Sequence, residues 1–299
     1  MSFDLNRYIN ERCELIDGRL KMAMPDENEL PFSLHKSMRY STFAGGKRLR
    51  PILLLAACDA VGGDLSAALP AACAMEMVHT YSLIHDDLPA MDNDDFRRGN
   101  PTNHKVFGDA VAILAGDALL TQAFILLSSP FYSSNVPSDR ILDVIHEIAY
   151  AAGSRGMVGG QVVDMESEGC HDIDLPTVQY IHTHKTGALI KASVKSGAIL
   201  GGGDERQIAA LNRYGEAIGL AFQIADDILD VVGTTDQLGK DAGSDQARGK
   251  ATYPSVLGLN ESRRTAAEFI EIALESISEL DEKADPLREI AKYILNRKS

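Results

Sequence analysis

Ser82-Leu83-Ile84-His85-Asp86-Asp87-Leu88-Pro89-Ala90-Met91-Asp92, continued by Asn93-Asp94-Asp95-Phe96-Arg97-Arg98-Gly99, is the stretch from which the fold can be read. It is an apolar helix that ends in a cluster of carboxylates, with two arginines immediately beyond. Acids packed this closely oppose one another's ionisation unless a cation sits among them, and divalent cations suit an oxygen-only ligand set. A second cluster, Asp226-Asp227-Ile228-Leu229-Asp230, follows the apolar run Ala217 to Ala225.

Helix geometry places the second cluster directly. Asp226 and Asp230 are four apart and Asp227 and Asp230 three apart, so all three fall on one strip of a helix. The first cluster fails that test, because Asp86 and Asp92 lie about 240° apart around an unbroken helix. Pro89 resolves the conflict: it cannot continue the hydrogen-bond ladder, so the helix ends near Leu88 and Asp92 folds back toward Asp86 and Asp87. Two acid strips at the ends of apolar helices are read as metal-binding walls facing one cavity.

Working outward, the chain has 299 residues, 45% hydrophobic and 24% charged, enough for substantial cores. Aromatics make up 6% and tryptophan is absent, while alanine and leucine are plentiful, which favours helices packed on helices. The expectation is an all-α bundle in one domain over residues 1–299, since no composition break marks a boundary. A net charge of −14, from 29 basic and 43 acidic residues, argues against nucleic acid or an anionic membrane as partner. The cysteines, Cys13, Cys58, Cys73 and Cys170, show no CxxC spacing, and Asp4, Arg7 and Glu11 interrupt any N-terminal apolar run. A reduced, cytoplasmic setting is expected. No apolar run is read as approaching the ~18 residues of a spanning helix, so no membrane insertion is expected.

Helical periodicity covers Phe3 to Met24, Leu34 to Phe43, Ile52 to Val61, Ser66 to Leu88, Asp109 to Leu127, Ser138 to Gly153, Leu175 to Leu200, Glu205 to Val232, Ser262 to Asp281 and Pro286 to Asn296. Lys47-Arg48-Leu49-Arg50-Pro51 puts a basic cluster at a helix start, where free amide groups add to the attraction for an anion. His79 lies seven residues before Asp86 and so nearly in line with it. The glycine-rich stretch 233–253 carries Lys240, Asp241, Asp245, Arg248 and Lys250, and reads as a lid over phosphate.

Gly45-Gly46-Lys47-Arg48-Leu49-Arg50-Pro51, the Asp86 to Asp92 motif with two extra residues inside it, Arg97-Arg98-Gly99, Gly159-Gly160-Gln161-Val162-Val163-Asp164, Lys185-Thr186-Gly187 and Asp226-Asp227-Ile228-Leu229-Asp230 occur together in one order. In that order they resemble the bacterial-type short-chain trans-prenyl diphosphate synthases, most closely the farnesyl diphosphate synthases. The resemblance covers about residues 35 to 260 and takes in Gly239-Lys240 and Tyr253-Pro254. It implies an isoprenoid-synthase bundle with a central active-site cavity, usually a homodimer. The implied reaction joins dimethylallyl or geranyl diphosphate to isopentenyl diphosphate and releases diphosphate. It also implies three Mg2+ ions, with Mn2+ an alternative, two held by Asp86 and Asp92 beside Asp87, and one by Asp226 with Asp227 and Asp230. Arg97, Lys185, Lys240 and Lys250 would grip the allylic diphosphate, and Lys47, Arg50, His79 and Arg98 the isopentenyl diphosphate.

The chemistry of the residues agrees with those roles. Breaking an allylic carbon–oxygen bond needs the departing diphosphate neutralised, which carboxylate-held cations, arginine and lysine provide. The carbon cation left behind needs oxygen dipoles. Gln223, one turn before Asp227, offers an amide oxygen, and Gly187 after Lys185-Thr186 loosens a helix enough to expose carbonyls. Tyr81, about 7.5 Å along the helix before Asp86, and Ser82 beside it are positioned to floor a tunnel for the growing tail. In the resembling enzymes an aromatic five residues before the motif goes with a C15 product, farnesyl diphosphate. The alternatives are geranylgeranyl diphosphate synthase, whose members carry a smaller residue there, and a terpene cyclase on the same fold, against which the Lys47, Arg50 and His79 set argues. A non-catalytic partner subunit would have no need of both acid clusters.

Plainer readings stand beside these. A lone Asp-Asp-x-x-Asp is more often a solvated helix face, and Lys47, Arg48 and Arg50 alone would be ordinary surface charges. His182 and His184 lack companion ligands and read as packing or surface residues. Gln161 and Asp164 read as supports behind the allylic site. Asn93 interrupts the acid run, Asp241 sits beside a lid lysine, and Arg297-Lys298 reads as a solvated tail.

Overall fold

The computed structural model describes residues 3–129, 136–170, 173–232, 250 and 252–296. The architecture is an all-α, multi-helix bundle of the isoprenoid-synthase type. It begins with α1 (Leu5–Ala23), α2 (Phe32–Thr42), α3 (Leu49–Ala60) and α4 (Leu65–Asp86). A two-stranded hairpin, β1 (Phe96–Arg97) antiparallel to β2 (Asn100–Pro101), leads to α5 (Asn103–Phe107), α6 (Asp109–Leu127), α7 (Ser138–Ala152) and α8 (Met157–Ser167). Then come α9 (Leu175–Ile181), a π-helix (His182–Gly187), α10 (Ala188–Leu200), α11 (Glu205–Val232), α12 (Tyr253–Leu257), α13 (Leu259–Ser276) and α14 (Asp285–Asn296).

Helix α4 is apolar all round, and such a helix must be covered on every side. Ala68, Ala71, Ala72, Met75, Val78 and Ile84 are all buried, with α3 and α6 packed alongside. Its start is capped by Asp64, whose carboxylate accepts from the Ser66 amide at 2.9 Å. Its end follows from Pro89. The ladder stops at Asp86, and the Asp92 amide donates back to the Asp86 carbonyl at 2.8 Å. Asn93 closes the turn in the left-handed region at φ 51°, so the predicted fold-back of Asp92 is observed.

Most predicted helices agree to within a few residues, and four features differ. The run Leu175 to Leu200 is continuous but carries the π-helix across His182–Gly187, an irregularity of the kind found at functional sites. The hairpin and the helices α5, α8 and α12 have no counterpart in the periodicity reading, because each is too short or too glycine-rich to show a period. The helix expected over Ser262 to Asp281 begins and ends earlier, at Leu259–Ser276, since Gly258 at φ 78° sets its entry. The reading that no run approaches spanning length is corrected by α6. Its 19 residues, with a mean hydropathy of 2.0 in its best window, are long and apolar enough to cross a membrane by length and composition. Here Ala112, Ala115, Leu119 and Ala123 of α6 are buried and the helix packs on α4.

Arg48 also departs from its surface reading. It is buried at φ 49°, and its guanidinium donates to Glu76 of α4 at 2.7 Å, to Asp17 of α1 at 2.9 Å and to the Thr42 carbonyl at 2.7 Å. Three helices are thereby tied to the loop that presents Lys47 and Arg50. Removing one member of a buried ion pair strands the other charge, at a cost of about 3–5 kcal/mol, whereas replacing both by apolar residues is often neutral. Arg48→Met is therefore expected to lower unfolding free energy by ~3–5 kcal/mol in urea titration, with most of the loss recovered in Arg48→Met/Glu76→Met.

Candidate active site

The turn at the end of α4 leaves two adjacent carboxylates in different surroundings. Asp86 lines the central cavity. Burial pushes its carboxyl up to about 6, and the negative charges of Asp92 and Asp87 add to that against Lys185 and Arg97. Asp87 is buried and already matched: both its oxygens accept from Arg97 Nε, at 2.7 and 2.9 Å, and Arg97 Nη2 lies 2.6 Å away. Arg97 also reaches Asp94 at 3.7 Å, so the predicted diphosphate ligand braces the motif from outside.

The cationic side is built by the loop before α3. Arg50 and His79 both line the cavity, and Arg50 Nη1 lies 3.3 Å from His79 Nε2. Burial lowers Arg50 to about 10 against the pull of Glu76 and Asp226, and holds His79 well below its ordinary value, so the imidazole is neutral. Arg50 Nε is buried with no partner among the described residues, which is a standing demand for an anion. Lys47 is exposed, 5.9 Å from the centre of the Tyr293 ring on α14. Arg98 donates to the Gly45 carbonyl and lies against Gly46, where φ is 121° and a Cβ would collide with the guanidinium. The two glycines are thus the seat of Arg98.

Across the cavity, Lys185 and Thr186 project from the π-helix. Lys185 Nζ is 2.5 Å from Asp164 of α8. Burial pulls this ammonium down, but Asp164, Asp86 and Asp92 outweigh it and leave its pKa raised. Contact between α8 and the π-helix depends on Gly160, where a Cβ would meet the Lys185 backbone nitrogen. On α11, Gly219 also lies close to Gly187, with 2.9 Å between a Cβ placed there and the Gly187 Cα.

In the second acid motif Asp226 is half-buried, and its charge is felt by Arg50. Asp227 is buried and accepts from the Tyr253 amide at 2.9 Å and from Gln223 Nε2 at 3.4 Å, with His182 Nε2 at 3.3 Å. Burial drives His182 down to about 3, and its ring stacks on Tyr253 at 5.3 Å. Asp230 is buried as well. His184 stacks on Tyr180 at 3.9 Å.

The cavity has a volume of about 570 Å³. Arg50, His79, Asp86, Lys185 and Thr186 supply its polar lining, and Tyr81, Leu88, Met91, Ile113, Met157, Val158, Val162 and Met165 its apolar one. Ser82 lines it too and donates to the His79 carbonyl at 2.9 Å. The Tyr81 ring stands edge-on to His85 at 5.7 Å, and His85 Nε2 lies 3.0 Å from the Ile113 carbonyl, in a notch that a side chain at Gly116 would fill. Asp87, Arg97 and Arg98 instead line a narrow cleft alongside. Lys250 is half-buried just ahead of α12, while Lys240, Asp241, Asp245, Arg248, Arg297 and Lys298 lie outside the described residues. Sequence reading assigned no direct role to the Asp164 tie, the glycine contacts or Gln161, which lines the cavity. The Gly-Gly-Gln motif carried that signal without revealing its reason.

Among the described residues, no three acids, histidines or cysteines converge into a ready-made metal site. The donor set nevertheless suits a hard divalent cation. It consists of carboxylates, and Asp86 is held partly protonated by burial and by like charge, a state that a cation relieves.

An all-helical bundle around a cavity with carboxylates, unpaired cationic N–H groups and an apolar wall defines the class of isoprenoid-synthase enzymes. Residues 32–293 match the family described as polyprenyl synthetase. The chain is 52% identical over 296 residues to dimethylallyltranstransferase of Fischerella ambigua (strain UTEX 1903), covering 99% of this chain and 84% of the relative. It is 50% identical to geranylgeranyl diphosphate synthase of Cyanophora paradoxa, covering 99% and 97%. A crystal structure of an FPP/GFPP synthase from Zymomonas mobilis superposes with a TM-score of 0.87 at 40% identity, covering 97% of this chain and 98% of that one. The chain belongs to the polyprenyl synthetase family and is a short-chain trans-prenyltransferase, related to both farnesyl and geranylgeranyl diphosphate synthases. Mg2+ dependence is typical of that family.

The raised Asp86 carboxyl gives this dependence a pH signature. An unfolded aspartate releases its proton near ~3.9, whereas Asp86 in the fold holds it to about 6. The folded state therefore binds more protons in between, and Asp86's contribution to stability falls as pH rises from about 4 to 6. A cation on the ionised carboxylate offsets that loss. Thermal-shift measurements with Mg2+ against chelator should show larger stabilisation at pH 7.5 than at pH 5, and a flatter difference in Asp86→Asn.

Proposed function

We propose that this chain condenses isopentenyl diphosphate with dimethylallyl diphosphate and its elongated products, ending at geranylgeranyl diphosphate (C20). The observation that carries the C20 end point is the 50% identity to the Cyanophora paradoxa enzyme along nearly the full length of both chains. A second reading, farnesyl diphosphate (C15), is favoured by Tyr81, whose ring lies in the cavity wall where a growing tail would pass.

In the proposed reaction Lys47, Arg50, His79 and Arg98 hold the diphosphate of isopentenyl diphosphate, with Arg50 Nε supplying the unpaired donor. Lys185, Lys240 and Lys250 hold the allylic diphosphate, and Arg97 acts by fixing Asp87. Three Mg2+ ions, held by Asp86, Asp92 and Asp226 with Asp87, Asp227 and Asp230 behind them, would neutralise the departing diphosphate when bound. The allylic C1–O bond breaks with its electron pair leaving on diphosphate. The double bond of isopentenyl diphosphate then attacks C1, and the released diphosphate removes the proton that restores a double bond. Thr186, Gln223 and the π-helix carbonyls present oxygen to the cation, and the apolar wall excludes water. Two copies are proposed to pair through the exposed apolar side chains of α6 and α7, which include Leu114, Ile125 and Leu142.

The test is incubation with isopentenyl and dimethylallyl diphosphates and Mg2+, with a parallel run in chelator and products separated by chain length. A dominant C20 alcohol after dephosphorylation, absent with chelator, is expected. A dominant C15 alcohol would replace that end point by the second reading, and Tyr81→Ala should then lengthen the product. Absence of condensation, with loss of a supplied C15 diphosphate to hydrocarbon, would overturn both in favour of a cyclase.

A further inference from the structure

Gln161 is 9% exposed, lines the central cavity, and has no hydrogen-bond partner for either Oε1 or Nε2 among the described residues. Leaving a buried amide group unpaired is unfavourable, so a fold that retains one has a use for it. The neighbours of Gln161 sharpen the point. Met157 and Met165, one turn to either side on α8, line the same cavity with apolar side chains. A methionine at 161 would match that wall in shape and leave nothing unsatisfied.

Its height in the cavity is fixed from two directions. Asp164, one turn along α8, holds the Lys185 ammonium at 2.5 Å. Gly160, the preceding residue, presses against the Lys185 backbone. The amide therefore sits where the polar end, with Lys185 and Thr186, meets the hydrocarbon wall. That junction is where the first allylic carbon must lie if the diphosphate is held by Lys185.

We propose that Gln161 is a catalytic residue whose amide oxygen faces the allylic carbon as its C1–O bond breaks, with the amide nitrogen donating to the departing diphosphate. No bond forms to Gln161. The electron pair leaves with diphosphate, and the amide dipole stabilises the charge left on carbon in a site too dry for water to do so. This inference rests on the transferase reading and adds a second amide to Gln223.

The test is Gln161→Met, assayed for kcat and KM with each substrate and for thermal midpoint. Loss of one such preorganised dipole lowers turnover by about 10²–10³-fold in comparable sites. The expected result is a fall in kcat of about 100-fold, KM for isopentenyl diphosphate within about twofold of the parent, and a thermal midpoint equal to or above it. A kcat within about threefold of the parent overturns the proposal, and so does a thermal midpoint that drops along with kcat, since that outcome makes Gln161 structural. Should the methionine variant not fold, Gln161→Glu keeps shape and oxygen. Retention of turnover within about tenfold then supports the role, and a greater loss overturns it. If the parent itself condenses nothing, the transferase reading fails, which these variants cannot mimic.

Discussion

The bundle must hold carboxylates and guanidiniums in a half-dry interior without letting them cancel one another. Charges removed from water are costly unless paired. Among the described residues several such groups are paired within the fold: Arg48 with Glu76 and Asp17, Arg97 with Asp87, Lys185 with Asp164. Two groups on the cavity wall are treated differently. Asp86 keeps a raised carboxyl under pressure from its acidic neighbours, and Arg50 keeps a buried N–H with no partner among the described residues. One is short of a cation and the other of an anion. A substrate that arrives as an anion together with a divalent cation relieves both.

Close approach is also needed around the cavity, and glycine supplies it at several points. Arg98 reaches its seat only because Gly46 has no Cβ, and α8 reaches the Lys185 backbone only because residue 160 is glycine. His85 occupies the notch at Gly116, and α11 closes on the π-helix through Gly219 and Gly187. A methyl at Gly46 or Gly116 would meet a side chain, and one at Gly160 or Gly219 would meet neighbouring backbone, where packing has little room to relax. The glycines of these motifs therefore belong to the active site through the spacing they permit.

How far the amino-acid sequence reveals this depends on the range of the physics involved. Helix content, the break at Pro89 and the return of Asp92 are local consequences of periodicity and proline chemistry, and they are visible along the chain. The pairing of Arg48 with Glu76 joins residues 28 apart, and that of Lys185 with Asp164 joins residues 21 apart. No local pattern announces either. Arg48 consequently reads as a surface charge, and Asp164 as a support of unspecified contact, until three-dimensional neighbours are known. The π-helix is only half visible: Gly187 marks a loosened helix, but the i→i+5 pairing across six residues is too short a change of period to show in the pattern. Asp227 shows the limit of spacing arguments, since the strip that unites it with Asp230 says nothing of the Tyr253 amide waiting behind it.

That last contact ties chain connectivity to chemistry. Asp227 is shared by His182, which opens the π-helix carrying Lys185 and Thr186, by Gln223 of its own helix, and by the backbone of Tyr253, which begins α12. His182 is held neutral by burial, so its ring, 3.3 Å from Asp227, carries no charge across the pH range in which Asp86 titrates. The two oxygens of Asp227 thus bring together the lysine-bearing helix, the second acid motif and the start of α12. Asp227 is thus engaged within the fold, whereas Asp86 lines the cavity with its carboxyl raised. The first motif shows a similar contrast between neighbours, with Asp87 matched by Arg97 and Asp86 on the cavity wall.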